Sequence, residues 1–227
     1  MKKKLLALAL LSGLSNTVMA DTILGVYFGG DVWRSSADGD FSYKSSADST
    51  SFDESDNYRL YARFEHPVPL VPNAAIRLTN VDIEGKNGSD TLELKTIDYT
   101  LYYEFLDNDL VSLDAGITLR QLDGDYKEAS GDVHSLDAPL PMGYVAAEVG
   151  LPFTPLTAFA NVTAVGLAGD SYSDAEIGLA FMINPGYVLD WSLKLGYRVQ
   201  QLDLDDIDDV DADVKIDGAF LGLEGHF

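Results

Sequence analysis

Three groupings of side chains in this sequence have the composition for chemistry. The first is His134 in "GDVHSLD" (131–137), with Asp132 two residues before it and Asp123 and Asp125 at the far end of the same polar stretch. An imidazole held by one carboxylate beside a second acidic pair is an arrangement that activates water for hydrolysis. All four residues belong to a single stretch, however, and with 37 acidic residues in the chain an Asp near a His arises by chance. A solvated loop is the expected reading. No Gly-x-Ser-x-Gly elbow accompanies them.

The second grouping is "LDLDDIDDVDADVKID" (202–217), which holds Asp203, Asp205, Asp206, Asp208, Asp209, Asp211 and Asp213 before its first base, Lys215. Carboxylates at such density are oxygen ligands for Ca²⁺ or Mg²⁺ if the loop folds round the ion. The spacing lacks the glycine and terminal glutamate of an EF-hand, so the expectation is a self-repelling solvated loop with at most weak divalent-cation binding. No other cofactor is expected. The third grouping is dispersed: Arg59, Arg63, Arg77, Arg120, Lys194 and Arg198 recur with Asp98, Glu104, Asp114, Glu148, Glu176, Asp190 and Glu224, all on the polar sides of alternating segments. Six bases against seven acids nearly cancel, which is what a shared interior requires, because buried charges must be paired.

The elements that position these groups are strands. "NYRLYARFEH" (57–66) sets Tyr58, Leu60, Ala62 and Phe64 against Arg59, Tyr61, Arg63 and Glu65. "TIDYTLYYEF" (96–105) and the stretches 110–122, 173–183 and 188–201 repeat the same period of two, the signature of a strand with one apolar and one polar face. About ten such segments are expected by that criterion, at 22–33, 57–66, 74–84, 91–105, 110–122, 140–151, 156–168, 173–183, 188–201 and 214–227. Two are thinner in pattern, and eight strands is the alternative count. Segment 74–84 changes phase at Leu78–Thr79, which predicts a bulge.

The connections fall into two kinds. Residues 67–73, 106–109, 152–155 and 184–186 are short and hold six of the eight prolines, whereas 34–56, 85–90, 123–137, 169–172 and 202–213 are polar, acidic and mostly longer. Short turns at one end and long loops at the other predict an antiparallel up-and-down transmembrane β-barrel, with both termini at the short-turn, periplasmic side. A soluble barrel would invert the faces, and alternation alone does not say which face is inside. Aromatic placement decides it: Phe64, Phe105, Phe181, Trp191 and Phe227 all lie on apolar faces near the short turns, as a membrane-interface girdle requires. With the interior then expected to be polar, either a charge-paired plug or a narrow pore for small solutes follows; the plug is the expected form, since ten strands leave little bore.

Residues 1–20, "MKKKLLALALLSGLSNTVMA", carry three lysines, a short apolar run and a small-residue stop, the pattern of a cleaved secretory signal. The single barrel domain is expected over 21–227. Without Lys2, Lys3 and Lys4, the 15 bases fall to 12 against 37 acids, a balance that excludes nucleic acid as a partner. The absence of cysteine excludes a disulfide-stapled scaffold.

With these features in place the chain resembles the small Gram-negative outer-membrane β-barrels. The closing "GAFLGLEGHF" (218–227), with Leu221, Leu223 and Phe227 at alternate positions, is similar to the terminal strand recognised by the barrel-assembly machinery. "ILGVYFGGDVW" (23–33) and "GYR" (196–198) look similar to a poorly characterised gammaproteobacterial outer-membrane family. The resemblance implies an outer-membrane location and a barrel architecture and says hardly anything of activity; with no catalytic motif found, a non-enzymatic monomer with lipopolysaccharide as neighbour is the expectation. The aspartates near His134 also resemble the catalytic constellation of the omptin proteases, which implies a barrel-mouth hydrolase as the alternative.

Overall fold

A computed structural model describes residues 24–43, 46–85, 91–108, 110–127, 131, 133–167, 170–185, 188–207 and 210–227. It is a closed barrel of antiparallel strands, and no helix occurs among the described residues. The ten staves are β1 (Gly25–Tyr43), β3 (Ser55–Glu65), β4 (Asn73–Glu84), β5 (Thr91–Asp107), β6 (Val111–Lys127), β7 (Val133–Gly150), β8 (Leu156–Leu167), β9 (Asp170–Met182), β10 (Asp190–Ile207) and β11 (Val210–His226). A short strand, β2 (Ser46–Ser51), pairs only with the upper part of β1. Each stave pairs with its neighbours in the chain, and β1 closes on β11 from Tyr27–His226 up to Tyr43–Val210. Below that ladder Val26 and Phe227 exchange both backbone hydrogen bonds at 2.9 Å. Closure leaves no unpaired edge in the lower wall, which a hydrocarbon environment demands.

Four staves, β3, β4, β8 and β9, have 11 to 13 residues, close to the ~9–11 that cross a bilayer at a tilt. The other six have 17 to 19 and stand well above it. Most of the expected long loops are therefore strand. Residues 34–43, 123–127, 133–137, 202–207 and 210–213 continue the ladders. What hides them in the sequence is a reversal of hydropathy. In β4 the side chains of Ile76 and Leu78 face out and Arg77 and Thr79 face in; four residues later Val81 and Ile83 face in, and Asp82 and Glu84 face out. The register runs unbroken through this point on both sides of β4, so the expected bulge at Leu78–Thr79 is absent. The backbone keeps its phase while the solvent outside the wall changes from hydrocarbon to water.

The same switch recurs at one height round the barrel. In β5, Tyr99 and Leu101 face out below, whereas Leu92 and Leu94 face in above. In β6, Ile117 and Leu119 give way to inward Leu122 and outward Asp123. In β11, Leu221 and Leu223 give way to inward Val214 and Ile216 and outward Lys215. Below the switch lies a belt of exposed apolar side chains, with Phe64, Phe105, Phe181 and Phe227 at its lower rim and Trp191 set edge-on to Phe28. An exposed apolar surface that encircles the molecule is the surface of a membrane-spanning barrel.

The two prolines outside the short turns have a place in this geometry. Pro139 and Pro141 lie on β7 where it pairs with β6 alone, since its pairing with β8 begins at Gly143. Proline removes donors from that free edge and discourages a foreign strand from adding to it.

Candidate functional site

The barrel interior has three layers. At mid-height lies an ionic layer whose members come from strands on opposite sides of the lumen. Arg59 of β3 pairs with Asp31 of β1 at 2.7 Å and reaches across to Glu176 of β9 at 2.6 Å. Arg120 of β6 grips both oxygens of Asp98 of β5 at 2.7 and 2.6 Å, and crosses to Asp174 of β9 at 2.8 Å. Arg198 of β10 grips both oxygens of Asp174 at 2.9 and 2.7 Å, and Gln200 adds a fourth donor group at 3.3 Å. Arg120 and Arg198 are completely buried. Bidentate guanidinium–carboxylate geometry at Arg120 and Arg198 makes such burial tolerable, because each charge faces an opposite one, although the Nη1 of each arginine has no hydrogen-bond partner.

Above it lies an apolar layer of Trp33, Ala37, Phe52, Val81, Ile83, Leu92, Leu94, Leu122, Met142, Phe159, Tyr172, Leu202, Val214, Ile216 and Phe220, each at most 9% exposed. The junction of the two layers is aromatic: Arg198 lies 4.7 Å from the Trp33 ring, Arg59 5.4 Å from Phe220, and the Lys194 ammonium 4.4 Å from Phe159. Cations seated on ring faces let a charged layer abut an apolar one with less loss of solvation. The Phe159 and Phe220 rings reach their places over Gly178 and Gly196, where an added Cβ would meet ring carbons at 2.7 and 2.6 Å.

Below the ionic layer the lumen is open and polar. A cavity of about 190 Å³ opens at the short-turn end, walled by Tyr27, Arg63, Glu65, Glu104, Asp107, Asp114 and Glu148 among others. Arg63 stands at its inner end, 3.5 Å from Glu148 and 3.9 Å from both Glu65 and Glu224, beneath the Tyr27 ring. Tyr27 in turn stacks on His226 at 4.0 Å. A second, smaller chamber of about 40 Å³ lies further in, lined by Arg59, Arg63, Arg77, Tyr144, Glu148, Lys194 and Glu224 among others.

Of the dispersed charged residues expected in the interior, Arg59, Asp98, Asp114, Arg120, Glu176, Lys194 and Arg198 are buried, while Arg63, Arg77, Glu148, Asp190 and Glu224 are partly so. Glu104 is solvent-exposed at the lower mouth, where it lines the cavity beside Asp107 and Asp114. It keeps its place in the interior row, opposite Asp114, and the β5–β6 register slips only beyond it, before Leu106. Sequence reading left out Asp31 and Asp174, and set Glu65 on the polar face beside Arg63 without counting it among the interior charges. The signal was available as spacing, since each sits two residues from a recognised or buried inward member (Trp33, Glu176 and Arg63) on the same face.

The other two groupings do not assemble. Register sets His134 opposite Tyr126 and Ser135 opposite Asp125, so His134 and Asp125 occupy positions of opposite face. Ser135 donates to Asp125 at 2.5 Å, Asp123 lies opposite Asp137, and Asp132 is outside the described residues. In the acidic run, Asp203 and Asp213 are exposed and directly opposite one another on β10 and β11. Asp208 and Asp209 lie outside the described residues, and the side chains of Asp205, Asp206 and Asp211 are not among those described. Among the described residues no group of three or more His, Asp or Glu side chains is placed to hold a metal ion. The expected signal segment, 1–20, also lies outside the described residues.

No protein-family model matches this chain, and no curated protein does. The resemblance to a gammaproteobacterial family thus has no support from sequence comparison. Solved structures do match. The outer membrane protease OmpT of Escherichia coli is similar at 8% identity with a TM-score of 0.54, over 94% of this chain and 99% of that one. The translocator domain of the autotransporter NalP from Neisseria meningitidis is similar at 12% identity and TM-score 0.46, over 98% and 94%. Neisserial surface protein A is similar at 14% identity and TM-score 0.39, over 88% and 95%. At such identities the likeness to OmpT is one of fold.

Proposed function

We propose that this chain is a non-enzymatic integral outer-membrane β-barrel whose lumen is sealed, a structural element of the envelope rather than a pore. The observation that carries this reading is the filling of the lumen by two stacked layers. A cross-lumen ionic network lies beneath a packed apolar cluster of 15 buried residues. A hydrated ion passing upward would have to strip its water against side chains that, apart from the Tyr172 hydroxyl, offer it almost no polar replacement. The apolar belt with its aromatic lower rim supports the membrane location, with the short turns on the periplasmic side and the tall strands outside.

Above the belt the outward residues Asp38, Asp82, Glu84, Asp123, Asp203 and Asp213 form an acidic collar at the height of the lipopolysaccharide headgroups. Purified barrel in proteoliposomes should retain an entrapped small sugar for as long as protein-free vesicles do. Rapid release would overturn the sealed reading.

The fold likeness to an outer membrane protease favours one second reading, a hydrolase at the upper mouth through His134 and the nearby aspartates. The opposite-face placement of His134 and Asp125 speaks against it. Peptide and ester substrates should show no turnover above background. Any activity found and then abolished by His134→Ala would replace the structural reading.

A further inference from the structure

The two lower chambers are adjacent cavities with Arg63 and Glu148 as common walls; the wider one opens at the short-turn end and the smaller lies further in. Taken together as a recess, they change in charge along their depth. The mouth has five carboxylates, Glu65, Glu104, Asp107, Asp114 and Glu148, against the single base Arg63. The inner chamber has four bases, Arg59, Arg63, Arg77 and Lys194, against three carboxylates, Glu148, Glu176 and Glu224.

Several donors that line the inner chamber have no hydrogen-bond partner among the described residues, Arg59 Nη1 and Arg63 Nε among them, and two further side chains are of more consequence. Arg59, Arg63 and Lys194 each have a carboxylate in salt-bridge range, but Arg77 has none among the described residues. Asp174 and Glu176 act on Arg77 electrostatically, yet their oxygens are held by Arg120, Arg198, Arg59 and Asn161. The second donor is Tyr144. It is 7% exposed, its ring is tilted against Tyr102, and among the described residues its hydroxyl has no hydrogen-bond partner. It lines the same chamber as Arg77. The hydroxyl of a buried tyrosine that lines a chamber with a guanidinium outside any salt bridge makes a donor pair for a carboxylate. The chamber's 40 Å³ suits such a headgroup, at roughly 10–15 Å³ for each water-sized occupant.

We propose that this recess binds a small zwitterion carrying one carboxylate and one ammonium, carboxylate inward to Arg77 and Tyr144, ammonium outward to Glu148 and the acidic mouth. A simple anion is repelled at the mouth, and a simple cation is repelled at the inner end. Only a molecule with both charges, separated by a short apolar spacer, matches the gradient.

The test is binding to the refolded barrel in detergent, by calorimetry or ligand-observed NMR, of glycine, β-alanine, 4-aminobutyrate and 6-aminohexanoate, with butyrate and butylamine as single-charge controls. At least one amino carboxylate should bind tenfold or more tightly than both controls. Arg77→Gln, Tyr144→Phe and Glu148→Gln should each weaken it at least tenfold. Tyr144→Phe removes only an unpartnered hydroxyl, so it serves if the charge variants do not refold. Butyrate or butylamine binding as well as the amino carboxylates would overturn the proposal. So would no binding at all, or binding indifferent to these substitutions. Conductance and binding fail separately: a barrel that leaks but binds refutes the sealed reading alone.

Discussion

The lower and upper halves of the wall follow opposite rules on one continuous backbone. Below the switch, Ile76, Leu101 and Leu119 face outward and Arg77, Asp98 and Arg120 face inward. Above it, Val81, Leu94 and Leu122 face inward, and outside stand Asp82, Lys95 and Asp123. The lower half is packed as a membrane protein and the upper half as a soluble one. Side-chain polarity tracks the medium beyond the wall, while strand geometry is indifferent to it. The interior then inherits what the exterior rejects: charge within the hydrocarbon zone and an apolar core above it.

That contrast is open to attack from the strongest contact downward. Asp174→Ala leaves Arg120 and Arg198 buried with one shared counter-charge fewer, and should cost about 3–5 kcal/mol in urea unfolding of the refolded barrel. In the upper half, Ile83→Ala opens a cavity at a fully buried site and should cost about 2–5 kcal/mol. Ile76→Ala, on the lipid-facing side of the same strand, should cost clearly less, because lipid fills the space. Equal losses at Ile76 and Ile83 would mean that the two halves are packed alike.

The boundary itself is tested by placing the same charge on either side of it. Ile76→Arg should destabilise by about 2–4 kcal/mol in a bilayer, whereas Asp82→Arg, outward on the same strand but above the belt, should cost about 0–1 kcal/mol. A reversed order would move the membrane to the upper half. The smallest effect is expected at the rim. Lys215→Ala breaks an exposed pair with Asp217 at 3.0 Å and should leave the unfolding midpoint unchanged.

The sequence rendered the staves well where hydrocarbon forces a strict alternation, as in 57–66 and 96–105. It rendered the upper strands poorly. There the inward residues include Gly39, Ala37 and Gly124, and the outward ones are acidic, so the period of two is thin and reads as loop. The phase change in 74–84 was visible, but a bulge and a change of medium produce the same letters, and only the unbroken register separates them. The ionic layer was half legible. Arg120 and Arg198 stand out as bases on polar faces, whereas Asp174, which both arginines share, begins a segment and carries no local mark of its role. Pairing across the lumen is a tertiary fact that no strand contains alone.

The sealed lumen depends on both layers at once, so electrical conductance measures it most directly. The barrel, refolded and inserted into planar bilayers at moderate voltage, should give a flat baseline with no unitary steps. Steady, reproducible single-channel steps from the unmodified protein would contradict the account.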